Sequence, residues 1–246
     1  MKKIEILKVK DDAEKHYTKK KQIFDLPFRI GVIGPSQRSG KTNFILNFFR
    51  DKLYGKDFEP ENIYIFSPSL KSNKWVRFIE AKDVPPENLF SELDEDVLES
   101  LYEDVEDEYN DAINEKRQPP NKIVIFDDLG FGGSLRGKSK FGIIDKLVMN
   151  GRHFNLSSAF LVQSYKQLSP DVRGNLSGLV VFNLSTRELE SIINEHNYLS
   201  SSKEFMKMFR KTTKKKHSMF IINYSNDPEA LYQDSNFLPV KMSEEK

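Results

Sequence analysis

The chain has 246 residues, 38% of them hydrophobic and 30% charged, a length that suits one nucleotide-binding α/β domain with a sizeable core. Its net charge of +1 neither announces nucleic acid nor excludes it, so local charge must carry any such argument. With no cysteine, disulfides, zinc fingers and thiol catalysis are all removed, as suits a reducing compartment.

Residues 1–26 are charged, with Lys19, Lys20 and Lys21 ahead of Ile23 and Phe24. They read as an N-terminal arm that packs late or onto a partner, or as a solvated tail. The stretch lacks the apolar centre of a signal peptide, and no window reaches 18 apolar residues. A soluble intracellular protein with no membrane partner is expected.

From Phe28 to Gly34 an apolar run predicts a strand, Pro35 to Ser39 a tight loop, and the stretch after Gly40, Lys41 and Thr42 a helix carrying Phe44, Ile45, Phe48 and Phe49 on one face. Strand, loop and helix in this order form a phosphate-binding loop. Backbone N–H groups surround a triphosphate at a helix N-terminus, the lysine reaches the β- and γ-phosphates, and the threonine hydroxyl binds Mg²⁺. Gly34, Pro35, Ser36, Gln37, Arg38, Ser39, Gly40, Lys41 and Thr42 are therefore the candidate ATP-binding residues. One departure from G-x-x-x-x-G-K-[ST] stands out: proline occupies the first position, at Pro35, and the glycine falls one residue earlier. Either the loop is longer by one residue or Gly34 makes the turn.

Asn62 to Phe66 predicts a short buried strand ended by Pro68, and Lys74 to Ala81 a short helix holding the only tryptophan, Trp75. Residues 87–117 are strongly acidic, yet Leu93, Val97, Leu98, Leu101, Tyr102 and Val105 keep a helical stripe. A helical insertion is expected, its acidic face either solvated or partner-binding. Lys122 to Phe126 then predicts a central parallel strand buried on both faces, ending in Asp127 and Asp128. In P-loop ATPases such a strand delivers one carboxylate to Mg²⁺ and a neighbouring acid to the attacking water. Asp127 is the candidate Mg²⁺ ligand with Thr42, and Asp128 the candidate general base.

Gly130 to Lys140 carries four glycines and three basic groups; it reads as a phosphate-gripping loop or a plain connector. A helix over 141–149 and a buried strand over 157–163 follow, the latter ending in Gln163, which can hydrogen-bond a γ-phosphate or its attacking water. Ser169 and Pro170 start a short helix, Gly178 to Phe182 is a fifth apolar strand, and Thr186 to Glu195 a helix. Basic residues from Arg210 to Lys216 precede a strand over 217–223, where they face either a phosphate backbone or solvent. Residues 225–246 form a polar C-terminal tail around the ATPase domain at 27–224. The four histidines, at 16, 153, 196 and 217, lack ligand spacing.

Strands alternating with helices, a phosphate loop after the first and an acid pair after the third, imply an α/β fold with a mainly parallel sheet flanked by helices. All strand ends then lie on one side, so Lys41, Asp127 and Gln163 can converge. The segment from Gly151, Arg152 and His153 to Gln163 and Ser164, with the arginine eleven positions before the glutamine, resembles the arginine-to-glutamine segment of the FtsK/HerA superfamily of DNA-pumping ATPases. Within it the chain looks most like genome-packaging ATPases of large nucleocytoplasmic DNA viruses, virophages and related elements, over roughly residues 28–222. The resemblance implies a RecA-like P-loop NTPase fold, a homo-oligomeric ring around double-stranded DNA, and ATP-driven translocation into a capsid, with capsid or portal proteins as partners. It implies a host cytoplasm, viral-factory or virion-associated setting. It makes Lys41 and Thr42 the phosphate and Mg²⁺ groups, Asp127 and Asp128 the metal-side acid and base, Gln163 the γ-phosphate sensor, and Arg152 a finger reaching a neighbour's ATP. Read from the residues alone, Arg152 also fits a helix-end salt bridge or a phosphate contact in its own subunit. A helicase-like relative, a nucleotide-controlled assembly switch and a small-molecule kinase are the competing functions.

Overall fold

Buried on both faces, the apolar runs form the centre of a sheet, as they must when helices cover each side. The computed structural model describes residues 13–36, 39–129 and 142–240. Its strands are β1 (Arg29–Ile33), β2 (Ile63–Phe66), β3 (Leu89–Phe90), β4 (Lys122–Asp127), β5 (Leu156–Val162), β6 (Gly178–Phe182), β7 (Met219–Asn223) and β8 (Tyr232–Gln233). They form one sheet in the order β3-β2-β4-β5-β1-β6-β7-β8. The first six in that order run parallel, while β7 pairs antiparallel to β6 and β8 antiparallel to β7. Every residue of β4, β5 and β6 is buried.

Helices α1 (Lys41–Phe48) and α2 (Asn73–Lys82) cover one face, where Phe28, Phe48, Tyr54 and Phe58 build an aromatic cluster. The opposite face packs against α3 (Glu95–Asn114), α4 (Ile143–Asn150), α5 (Pro170–Gly174), α6 (Thr186–His196) and α7 (Ser202–Thr212). The acidic segment is thus a helix, entered by a cap in which Asp94 accepts from the backbone N–H groups of Asp96 and Val97. Leu98, Leu101, Tyr102 and Val105 face the core, and the Lys122 ammonium pairs with Glu108 and reaches Asn62 Oδ1 at 3.0 Å. Hydrocarbon holds one face of α3 to the sheet and leaves the other to its carboxylates.

Segments outside the expected domain also meet the sheet. Phe24 and Leu26 are fully buried on the α1 face, and residues 232–233 add β8 as an edge strand. The two-residue strand β3 lies inside the segment expected to be helical. The glycine-rich loop 130–140 lies outside the described residues, as do Gln37 and Arg38.

Candidate functional site

β1 ends at Ile33, and the Gly34 N–H donates to the Val162 carbonyl at 3.2 Å, tying the start of the phosphate loop to the end of β5. Gly34 makes the close approach: a Cβ there would meet Ser39 Cβ at 2.9 Å and Phe182 Cβ at 3.0 Å. Pro35 follows with only its carbonyl in use, accepting from Lys41 Nζ at 3.2 Å beside the Gly34 carbonyl at 2.8 Å. Gly40, at φ +105°, turns the chain into α1 in a conformation that side chains rarely adopt. Lys41 is 6% exposed; burial lowers its pKa, while the charges of Asp128 and Asp127 pull it back up. An ammonium that is buried and, among the described residues, hydrogen-bonded to two carbonyls suits an incoming polyanion.

At the end of β4, Asp127 is 3% exposed. Its Oδ2 accepts from the indole Nε1–H of Trp75 at 2.8 Å and lies 3.5 Å from the Thr42 hydroxyl. Burial raises the carboxyl pKa; the Trp75 hydrogen bond opposes this, Asp128 adds to it, and Lys41 and Thr42 oppose it. A buried carboxylate facing a threonine hydroxyl matches the hard oxygen donors that Mg²⁺ takes alongside nucleotide phosphates. Among the described residues no group of three or more acids and histidines is placed to hold a metal ion, nor is one needed for a cation held largely by phosphate oxygens.

Asp128 adopts φ +59°, in the left-handed region, which turns its carboxylate off the strand direction. Its Oδ1 accepts from Gln163 Nε2 at 2.6 Å. Gln163 is held from behind: the Gln167 amide oxygen accepts from the backbone N–H groups of Gln163 and Ser164 at 2.8 and 3.0 Å. The sheet therefore brings Lys41, Thr42, Asp127, Asp128 and Gln163 to one end.

Arg152 is elsewhere. It sits exposed in a 3₁₀ turn (Gly151–Phe154) before β5, close enough to Arg29, the first residue of β1, to lower that guanidinium's pKa after the larger effect of burial. The seven residues of β5 put roughly 20 Å between that end and the acid pair. A phosphate contact within the same subunit is out of reach, and Arg152 makes no ion pair among the described residues. The basic run lies at the phosphate end: β7 is antiparallel, so the turn before it returns to the site, and His217 Nδ1 is 3.3 Å from the Ser39 carbonyl oxygen.

The sequence reading placed Trp75, the only tryptophan, on its helix but missed its hydrogen bond to Asp127. Its partner lies 52 positions away. Gln167 was equally hidden.

A family model described as Poxvirus A32 protein matches residues 14–232, nearly the whole described chain. The chain belongs to the poxvirus A32 protein family. This A32-family chain is 24% identical over 202 residues to the DNA packaging protein OPG160 of Monkeypox virus, covering 79% of this chain and 60% of that protein. It is 24% identical over 196 residues to the same-named protein of Variola virus, covering 77% of this chain and 65% of that one. The chain thus spans less than two thirds of the length of these relatives. Among solved structures, the genome packaging NTPase B204 from Sulfolobus turreted icosahedral virus 2, in complex with AMPPCP, superposes with TM-score 0.57 at 17% identity, covering 85% of this chain and 96% of that one. EssC (ATPases 2 and 3) from Geobacillus thermodenitrificans superposes with TM-score 0.54 at 15% identity, over 89% of this chain and 41% of that one. At such identities the likeness is one of fold. The A32-family chain has the RecA-like P-loop NTPase architecture, with its mainly parallel sheet flanked by helices.

Proposed function

We propose that this A32-family chain is an ATP-hydrolysing motor that translocates double-stranded DNA, packaging a viral genome into a preformed capsid. The observation that carries the reading is the convergence of Lys41, Thr42, Asp127, Asp128 and Gln163 at one sheet end, with Arg152 exposed at the other. The DNA-packaging relatives supply the cargo. The DNA-packaging relatives also support work in a host cytoplasm or viral factory; no described helix is long and apolar enough to cross a membrane.

In this reading the phosphate-loop backbone and the Lys41 ammonium hold the phosphates, and Thr42 and Asp127 would hold Mg²⁺. When bound, Mg²⁺ neutralises charge on the β- and γ-phosphates. Asp128 takes a proton from the attacking water as its oxygen bonds to the γ-phosphorus and the bond to the β–γ bridging oxygen breaks. ADP and phosphate leave, and the proton passes to solvent. Gln163, within 2.6 Å of Asp128, orients the water and reports the γ-phosphate. Arg152, out of reach of its own site, acts on the ATP of the next subunit in a homo-oligomeric ring; such a finger contributes ~10³ to 10⁵ in rate.

The test is steady-state ATP hydrolysis against protein concentration, with and without long duplex DNA, for the wild type, Lys41→Ala, Arg152→Ala and a mixture of the two variants. Each variant is expected to be inactive and the mixture to recover part of the rate, because an intact Lys41 site can then meet an intact Arg152. Normal hydrolysis by Arg152→Ala at every concentration, without DNA stimulation, would refute the shared-site motor.

A further inference from the structure

At the end of the sheet away from the phosphate loop, the first residue of β1 is a half-buried arginine. Its backbone is fixed: the Arg29 N–H donates to Ser177 Oγ at 2.8 Å, and the Arg29 carbonyl accepts from the Ser177 N–H at 2.7 Å. Among the described residues Arg29 makes no ion pair, and its Nε is buried without a hydrogen-bond partner. Ser158, its register partner on β5, is fully buried, and the Ser158 Oγ is likewise unpartnered. So are Asn155 Oδ1, just before β5, and Arg173 Nε, near the end of α5. Buried polar atoms are nearly always hydrogen-bonded, so their gathering at the strand starts points to a polar ligand there.

Charge says what kind. Burial, and after it the charge of Arg152, lowers the Arg29 pKa, so two guanidiniums adjoin here, one recessed and one exposed. Like charges repel, more strongly where burial weakens solvent screening. An anion reaching both relieves that repulsion, and phosphate suits them because each guanidinium presents paired planar donors to its oxygens. The recess selects the shape: a duplex backbone lying along the surface meets Arg152 first, whereas a terminal phosphate can project between the two. We propose that Arg29 and Arg152 together form a two-guanidinium site for the terminal phosphate of ATP bound to a second copy of this chain, with Arg29 a catalytic residue of that shared site. The proposal rests on the reading of Arg152 as a group acting on a neighbouring subunit.

Hydrolysis by mixed variants shows on which subunit Arg29 acts. Arg29→Gln is expected to lower the rate about ten- to a hundredfold, the scale of one charge-assisted hydrogen bond, while binding Mg·ATP like the wild type, which also shows that it folds. Mixed with Lys41→Ala it should recover part of the rate, because Lys41→Ala brings both arginines to an intact phosphate loop. Mixed with Arg152→Ala it should recover none, because no subunit then carries both arginines. Any other pattern overturns the proposal; recovery with Arg152→Ala but not with Lys41→Ala would place Arg29 in its own subunit's site. A wild-type rate for Arg29→Gln also overturns it, as does a loss confined to the DNA-stimulated rate, which would make Arg29 a DNA contact. Arg29→Lys, which keeps the charge but not the planar fork, should lose less and complement in the same way, and it carries the test if Arg29→Gln fails to bind ATP. Failure of these arms alone leaves the Arg152 reading standing. If Lys41→Ala and Arg152→Ala recover nothing together, that reading falls and this proposal with it.

Discussion

Replacing Trp75 with phenylalanine tests how the metal-side acid is held. The substitution keeps an aromatic ring in a fully buried position but removes the indole N–H that donates to Asp127 Oδ2 at 2.8 Å. A hydrogen bond to a charged group contributes roughly 1.5–3 kcal/mol. Burial already raises the Asp127 pKa and this hydrogen bond opposes the rise, so its loss destabilises the carboxylate and moves the pKa further up. One pH unit corresponds to about 1.4 kcal/mol. The acid limb of the hydrolysis pH profile should therefore move up by at least about one unit, and the Mg²⁺ concentration giving half-maximal rate should rise about tenfold. Chelating the metal should abolish hydrolysis in both proteins. Mg²⁺ titrations of ATP turnover at several pH values, beside a urea unfolding curve, read these effects separately. If Trp75→Phe loses stability but keeps the wild-type Mg²⁺ dependence and acid limb, Trp75 is only a packing residue and the reasoning fails.

Two further expectations concern the scaffold. Gly178→Ala places a Cβ 2.2 Å from a Phe24 ring carbon and 2.8 Å from the Ile222 carbonyl oxygen; because backbone cannot yield as a side-chain end does, a loss of about 1–3 kcal/mol or more is expected from the urea midpoint. An unchanged midpoint would show that residues 24–26 do not pack as described. His196 is buried with its ring nitrogens 2.5 Å from the hydroxyl oxygens of Tyr165 and Tyr224, and burial lowers its pKa from 6.5 to about 4. The unfolded chain takes up this proton first as pH falls. The stability contribution is therefore complete above pH 6.5 and is lost on descending to pH 4, by about 3 kcal/mol. Unfolding curves at pH 7 and pH 4.5 should show the loss, and His196→Gln should reduce it; equal slopes for both proteins would assign the pH dependence to other groups.

The local chemistry was legible along the chain because it is written in consecutive residues. Gly40, Lys41 and Thr42 opening a helix need only their neighbours, and β4 and β5 read as strands because burial on both faces favours apolar runs, residues 123–126 in β4 and 159–162 in β5. The acid pair at the end of β4 and the glutamine just beyond β5 followed from the same pattern. The edge strands did not: Leu89–Phe90 and Tyr232–Gln233 are two residues long and extended only because β2 and β7 offer them hydrogen-bonding partners. The acidic run could be read as a helix from its apolar stripe, but the buried Lys122 that meets Glu108 belongs to a strand beyond the next proline turn. Spacing alone allowed Arg152 a phosphate contact in its own subunit, because distance along the chain carries no direction. The direction of β5 decides the matter, placing the arginine at the opposite end of the sheet from Lys41. The same holds for Trp75 and Asp127: they belong to separate crossovers, and only closing those crossovers over one sheet brings them within hydrogen-bonding distance.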